Sequence, residues 1–365
     1  MAEIVYAEPQ SPIDLLPALL ALPRGATILV LGAPDCGKST FVRDAVSAVT
    51  QAGRSAAIVD CDLGQSEIGP PGTIGAARVA AGAEIRPLRD LPVAAGYFIG
   101  AISPNRHLLD VCVGATQAAR AIKKSRPDLV LVDTDGFVHG GAARHFKRRL
   151  CEMLLPQVVV ALTRGNEIDP LISAFRNMDT PEVWRIPVAE AVQRKTPATR
   201  ATRRTARFLA ALDGAEPLTF SLDGIALLGT ILGTGEALAF HLLQFLSQSL
   251  GRPVLHAERS GSSLSVIVNG ESWNTAGLAA IEDYFGVRTV SVTAAQKFAG
   301  LLVGLVSGSG QLLGIGRIDR IDFSRRTLTV LTSCRKQGAV AQVWFGSLRL
   351  RADGRENGEL RPGEI

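Results

Sequence analysis

Residues 32 to 40, Gly32-Ala33-Pro34-Asp35-Cys36-Gly37-Lys38-Ser39-Thr40, match the pattern G-x-x-x-x-G-K-[ST] between an apolar run and an amphipathic one. Glycines in such a loop let backbone N–H groups curl around phosphate oxygens, and the helix that follows adds the positive end of its dipole. Lys38 then neutralises β- and γ-phosphates, and the Ser39 hydroxyl is a ligand for Mg²⁺. A chance Gly-rich turn would lack the flanking strand and helix. A nucleoside triphosphate site is expected on residues 32–40.

Acidic groups follow at two further places. Asp60 and Asp62, with Gln65 after them, close a second apolar run. Carboxylates at the carboxyl end of a strand can hold Mg²⁺ or accept a proton from an attacking hydroxyl. For Asp60 a turn-capping role competes equally with a metal role; for Asp62 the chemical role is preferred. Asp133 closes a third run and is placed to help hold the magnesium. Asp135-Gly136 beside it also reads as a plain turn. Arg200, Arg203, Arg204 and Arg207 form one basic stripe at helical spacing, preceded by Arg194 and Lys195 and almost without acidic partners. Arginines on such a segment can close over a transferring phosphoryl group. Arg144, Lys147, Arg148 and Arg149 read as ordinary surface.

The elements that must position these groups are legible in outline. Apolar runs at Ala26–Leu31, Ala56–Val59, Leu129–Val132 and Val158–Leu162 have the continuous character of buried parallel strands. Helix-length segments, Ser39–Ala52 and Asp110–Lys124, lie between them. The expectation is an α/β, doubly wound, mostly parallel sheet over residues 25–214, preceded by a short lead-in at 1–24. Residues 215–365 change texture to short strands joined by Gly, Ser and Asn turns, with helices at Gly235–Leu250 and Asn274–Phe285. They read as a smaller β-rich domain with a fraying tail from Asp353.

At 365 residues, 47% hydrophobic and 20% charged, the chain can bury two cores. A net charge of +5 suits a localised anionic ligand better than a nucleic-acid coating role. Five cysteines, an odd number without a C-x-x-C pair, argue against a disulfide framework or a zinc site. The apolar stretch Leu15–Leu22 holds Pro17 and is too short to span a bilayer. A cytoplasmic protein is expected.

The wording of the loops resembles the polynucleotide 5′-hydroxyl kinase family, which includes the kinase of the mRNA cleavage complex. Asp62 and Gln65 fall on its D-x-x-Q motif, and Pro71, Gly72 and Thr73 on the P-G-T that follows. Tyr97-Phe98-Ile99-Gly100-Ala101-Ile102-Ser103-Pro104 is similar to its F-x-G-x-x-S-P loop, which carries a clasp over the triphosphate. Asp133-Thr134-Asp135-Gly136-Phe137-Val138-His139-Gly140 is similar to its N-T-x-G-W-x-x-G element, which contacts the nucleic acid. The Arg200–Arg207 stripe sits where the family has its arginine lid, and Phe345–Leu350 is similar to its C-terminal domain. Asp133 replaces the family's Asn, and Phe137 replaces a Trp with a smaller stacking surface. The clasp's threonine and asparagine have Ser103, Asn105 and His107 as their nearest counterparts. The short N-terminal lead-in leaves no room for the β-sandwich of the eukaryotic members.

The resemblance implies an ATP- and Mg²⁺-dependent enzyme that phosphorylates the 5′-OH end of RNA or DNA. Lys38 and the arginine lid would stabilise the transferring phosphoryl group, and Asp62 would accept the hydroxyl proton. Ser39, Asp60 and Asp133 are the candidate metal ligands. Gln65, Pro71, Gly72, Thr73, Thr134, Gly136 and Phe137 would contact the nucleic acid. Two other readings stand beside it: an ATP-bound scaffold of an RNA-processing assembly, and a P-loop regulatory NTPase.

Overall fold

A computed structural model describes residues 3–5, 8, 10–85, 87–175, 178–189, 192–361 and 363–365. The chain divides into two compact units between Arg207 and Phe208.

The first unit contains, in chain order, β1 (Glu3–Val5), α1 (Leu16–Ala21), β2 (Ala26–Gly32), α2 (Lys38–Gln51), β3 (Ala56–Asp60), β4 (Thr73–Val79) and β5 (Val93–Phe98). It continues with α3 (Leu108–Lys123), β6 (Leu129–Asp133), α4 (Gly140–Leu154), β7 (Val158–Thr163), α5 (Asp169–Ile172), β8 (Glu182–Pro187) and α6 (Pro197–Ala211). The strands form one sheet in the order β1-β8-β7-β2-β6-β3-β4-β5. Pairings from β1 to β3 along that order are parallel; β4 and β5 extend the edge antiparallel. This is the doubly wound, mostly parallel sheet expected from the apolar runs.

Strand alternation sorts the core into two layers. Leu29, Leu31, Val59, Val130 and Val132 face one side, where they meet Val111 and Ala115 of α3 and Phe146 and Leu150 of α4. Ile28, Val30, Ile58, Leu129 and Leu131 face the other, against Leu19 of α1 and Phe41, Val42 and Val46 of α2. Both faces are covered, so every second residue has no reason to be polar and the runs are unbroken. The carboxyl ends of the neighbouring strands β2, β6 and β3 emit the three loops that carry the chemistry, as open α/β sheets require.

The second unit contains β9 (Glu216–Ser221), β10 (Ala226–Leu228), β11 (Glu236–Ala237), α7 (Phe240–Leu250), β12 (Val254–Ser260), β13 (Ser263–Val268) and α8 (Leu278–Phe285). After these come β14 (Thr289–Ala294), β15 (Leu301–Ser307), β16 (Leu312–Asp322), β17 (Thr327–Thr332), β18 (Val340–Leu350) and β19 (Glu356–Glu359). One sheet runs β10-β18-β15-β16-β17-β9 with β19 on β18, and a smaller one runs β11-β12-β13-β14. Leu246 and Leu250 of α7 and Ile281 and Phe285 of α8 pack on the smaller sheet. The β-rich reading of this half holds.

Three expectations differ from the structure. The division falls inside α6 rather than after residue 214, because the arginine-bearing helix runs unbroken to Ala211. The lead-in is joined to the first unit, since β1 adds a parallel strand to β8. The tail does not fray: β19 pairs antiparallel with β18, and Leu360 and Ile365 are buried in the core. Among the described residues no helix is long and apolar enough to cross a membrane.

Candidate active site

The phosphate loop leaves β2 at Gly32 and enters α2 at Lys38. Gly37 caps that helix at φ 91°, a left-handed conformation costly for other residues. The loop is pressed from the side by the turn after β6. A Cβ on Gly136 would lie 2.7 Å from both Cγ and N of Pro34. The two loops thus touch backbone to backbone. Lys38 is 6% exposed, and its Nζ donates to the carbonyls of Gly32 (3.0 Å) and Ala33 (2.9 Å). An ammonium has three protons to donate. The third points to Cys36 Sγ at 3.9 Å, a weak acceptor that a phosphate oxygen would readily replace.

Asp133, at the end of β6, is 2% exposed, and its Oδ1 is buried without a partner. Burial pushes its carboxyl up to about 6, against the pull of Lys38 and of a hydrogen bond with Ser39. A buried carboxylate oxygen with no donor, beside a serine hydroxyl, is a hard-oxygen pair that suits Mg²⁺. Ser39 and Asp133 therefore fit the metal that phosphate-loop chemistry calls for.

Asp60 does not. Its Oδ2 accepts from the amides of Glu67 (2.6 Å) and Ile68 (2.9 Å) and from the Ser66 hydroxyl (3.3 Å), and its Oδ1 accepts from the Asp62 amide (3.0 Å). Both oxygens accept donors of the loop that follows, so of the two roles left open for Asp60 the structure favours turn-capping over metal binding. Burial and the neighbouring Asp133 push its carboxyl well above the usual range.

Asp62 is half-buried and opens into a cleft of about 360 Å³ that is also lined by Lys38 and Ser39. Its Oδ1 accepts from the amides of Gly64 (3.0 Å) and Gln65 (2.9 Å), which fixes the side chain, while Oδ2 has no hydrogen bond among the described residues. Burial raises its carboxyl above the ordinary value; Lys38 and the two amides oppose that. A carboxylate with a raised pKa and a spare oxygen is suited to take a proton. Gln65, Gly136, Phe137, Arg200 and Arg204 line the same cleft. Gln65 Nε2 donates to Gly64 O (2.7 Å) and Arg200 O (3.3 Å), and its Oε1 is buried without a donor.

Thr196 starts α6 by accepting the Thr199 amide (3.1 Å), with Pro197 at the first helical position. Its arginines then reach two different loops. Arg200 donates to Asp35 of the phosphate loop (3.1 Å), Arg203 to Glu67 (2.9 Å), and Arg207 to the carbonyls of Glu67 (3.0 Å) and Gly69 (2.6 Å). Arg200 and Arg204 face the cleft, whereas Arg203 lines an adjoining cavity of about 550 Å³ together with Arg43, Leu88 and Arg89. That cavity shares Ser39, Thr40, Gln65 and Lys195 with the cleft.

Other sequence expectations are redistributed. Pro71, Gly72 and Thr73 are buried: Thr73 donates to Pro70 O (2.7 Å), and Gly72 O accepts the amides of Ile99 (3.0 Å) and Gly100 (2.9 Å). They tie two loops together rather than meeting a ligand. Thr134 is fully buried and donates to Val30 O (2.7 Å), so its hydroxyl is likewise structural. Of the clasp candidates only Ser103 lines the cleft; Asn105 is exposed, and His107 meets Asp110 at 3.3 Å. Asp135 is a turn residue, accepting the Phe137 amide (2.7 Å) and the ammonium of Lys147 (2.9 Å). Lys147 is 1% exposed, not surface. Sequence reasoning missed the pairing of Asp35 with α6, for which charge complementarity between the loop and the basic stripe was the available signal.

Residues 32–212 match the family model described as mRNA cleavage and polyadenylation factor CLP1 P-loop. The chain is 29% identical over 359 residues to a polyribonucleotide 5′-hydroxyl-kinase of Pyrococcus furiosus, covering 98% of this chain and 97% of that one. It belongs to the CLP1-type polynucleotide 5′-hydroxyl kinase family. A polyribonucleotide 5′-hydroxyl-kinase of Methanocaldococcus jannaschii is 23% identical over 96% of this chain and 94% of its own length. The fold is similar to the solved wild-type Clp1p–Pcf11p complex, with a TM-score of 0.60 at 11% identity over 92% of this chain and 77% of that one. Within the CLP1-type fold, the D-x-x-Q residues and the phosphate loop share one cleft with Ser103, Phe137, and Arg200 and Arg204 of α6.

Proposed function

We propose that this protein transfers the γ-phosphate of ATP to the 5′-hydroxyl of a polynucleotide, RNA above all. The single observation that carries the reading is that Lys38 and Asp62 line one cleft with the arginines of α6. The names of relatives matched over nearly the whole chain support it.

In this reading the triphosphate lies along residues 32–40, with its γ-end toward Lys38 and Asp62 and its nucleoside in the cavity walled by Arg43, Leu88 and Arg89. Ser39 and Asp133 hold Mg²⁺, which when bound neutralises charge on the phosphate oxygens. The terminal ribose enters beside Gln65, whose unpartnered Oε1 offers it an acceptor, and Phe137 gives the terminal base a stacking face. Asp62 takes the proton from the 5′-hydroxyl as that oxygen bonds to the γ-phosphorus and the bond to the β-phosphate oxygen breaks, releasing ADP. Lys38, Arg200 and Arg204 stabilise the negative charge on the transferring group. Phosphoryl transfer asks mainly for such positioning and electrostatic stabilisation.

The test is transfer of label from γ-labelled ATP to matched 5′-OH RNA and DNA oligonucleotides. Asp62→Asn should lower turnover at least about a hundredfold, the lower end of what general-base removal costs, with nucleotide affinity kept. Label on inorganic phosphate alone, with none on either oligonucleotide, would favour the regulatory NTPase reading instead.

A further inference from the structure

The phosphate loop of this chain carries an anion of its own. Asp35 stands in the loop at φ 55°, and its side chain is 8% exposed. Groups from the segment that opens α6 converge on it. The Lys195 amide (3.0 Å) and Arg200 Nη2 (3.1 Å) both donate to Oδ2, and Lys195 Nζ lies 4.0 Å from Oδ1. Arg164 Nη2 adds a hydrogen bond to the Asp35 carbonyl at 2.6 Å. A bare carboxylate here would repel a triphosphate from the amides beside it. Paired with two cations, it does not. Arg200 also has capacity in reserve: its buried Nε has no acceptor, and the residue lines the cleft.

We propose that Asp35 is a positioning residue that docks the start of α6 onto the phosphate loop. It aims Arg200 at the place of the γ-phosphate, and the loop is receptive to anions only while the helix is docked. The role of Arg200 in transfer rests on the kinase reading; the coupling of docking to anion binding rests only on the loop holding a nucleotide.

The experiment compares wild type, Asp35→Asn, Arg200→Ala and the double variant. Asn keeps the size of Asp and tolerates positive φ, so the substitution removes charge with little backbone cost. Affinity for a fluorescent ATP analogue with Mg²⁺, without RNA, should fall about tenfold in Arg200→Ala, which loses a phosphate donor and bares Asp35 in one step. The double variant should recover at least about threefold of that, because the repelling charge is gone. Asp35→Asn alone should speed tryptic cleavage within residues 194–204, where docking holds the Lys195 amide and the Arg200 side chain on Asp35. A double variant that binds no tighter than Arg200→Ala would overturn the proposal, as would wild-type resistance of Asp35→Asn to trypsin. Should Asp35→Asn fail to fold, Arg200→Gln tests docking by the same cleavage: faster cutting supports it, wild-type protection refutes it. A wild type that transfers no phosphate to RNA sinks the kinase reading by itself, and affinity and cleavage still decide the role of Asp35.

Discussion

Asp60 and Asp133 are Cα partners on the adjacent parallel strands β3 and β6, yet one has donors on both carboxylate oxygens and the other has a buried oxygen with none. The difference lies in the loops that follow. After β3 the chain turns back so that amides of residues 62, 67 and 68 point at Asp60; after β6 it runs toward the phosphate loop and leaves Asp133 facing Ser39.

Substitution should separate the two. Asp60→Ala strips three backbone amides of their acceptor, at about 1–3 kcal/mol for each one left unsatisfied. A loss of about 3 kcal/mol or more in urea unfolding is expected, with activity lost alongside the fold. Asp133→Ala removes a buried charge and should leave stability equal or higher. Its cost should appear as a rise of about tenfold or more in the Mg²⁺ needed for half-maximal nucleotide binding. Equal stability losses in both variants would contradict the division of labour.

Protonation gives a second handle. Burial raises both carboxyls, Asp133 to about 6 from an ordinary value of 3.8. The folded protein therefore holds protons that the unfolded chain releases over that interval. The stabilising share is complete below about pH 4 and vanishes as pH rises through about 6. For Asp133 it is at most about 3 kcal/mol, the equivalent of about two pKa units. In the presence of a chelator, wild type should gain stability relative to Asp133→Asn on acidification from neutral pH toward about pH 5. Parallel pH profiles for the two proteins would refute the assignment.

Much of this site was legible because its parts are local. The phosphate loop needs only its glycines, its lysine and a flanking strand and helix, all contiguous in sequence, and the stripe of Arg200, Arg203, Arg204 and Arg207 follows from helical periodicity. What escaped was decided by partners distant in the chain. Nothing around Thr134 tells that its hydroxyl meets Val30 O, 104 positions away. Nor does anything near Pro71-Gly72-Thr73 tell that this run ties the loop after β3 to the end of β5. The antiparallel extension by β4 and β5 and the ordered tail were hidden for the same reason, since strand pairing is a tertiary property.

Lys147 is the clearest instance, because it lies in a run of basic residues whose other members are exposed. Its ammonium lies 2.9 Å from Asp135 Oδ2 with both side chains almost wholly buried. Lys147→Met would leave that carboxylate buried and uncompensated, a defect that costs about 3–5 kcal/mol. Adding Asp135→Asn should return at least half of the loss. Chemical unfolding of the single and double variants decides it: a Lys147→Met loss under about 1 kcal/mol, within the range of exposed pairs, would mean that water reaches the pair.

Gly136 tests how closely the side of the cleft proposed to take the polynucleotide is coupled to the phosphate loop. A methyl group there would meet Pro34 at 2.7 Å on both Cγ and backbone N and at 2.9 Å on Cα, so the backbone of one loop must move. Overpacking of this kind costs about 1–3 kcal/mol. A displacement of the cradle by an ångström is the larger effect, able to cost about a hundredfold in transfer. Gly136→Ala should therefore remain folded while nucleotide affinity and transfer both fall. Gly141→Ala is the control, since a Cβ there would meet only the end of the Arg144 side chain at 4.0 Å and alanine favours the helix. If Gly136→Ala binds nucleotide as wild type does, the loop after β6 yields instead of the phosphate loop. Losses would then fall on the polynucleotide alone, through displacement of Phe137.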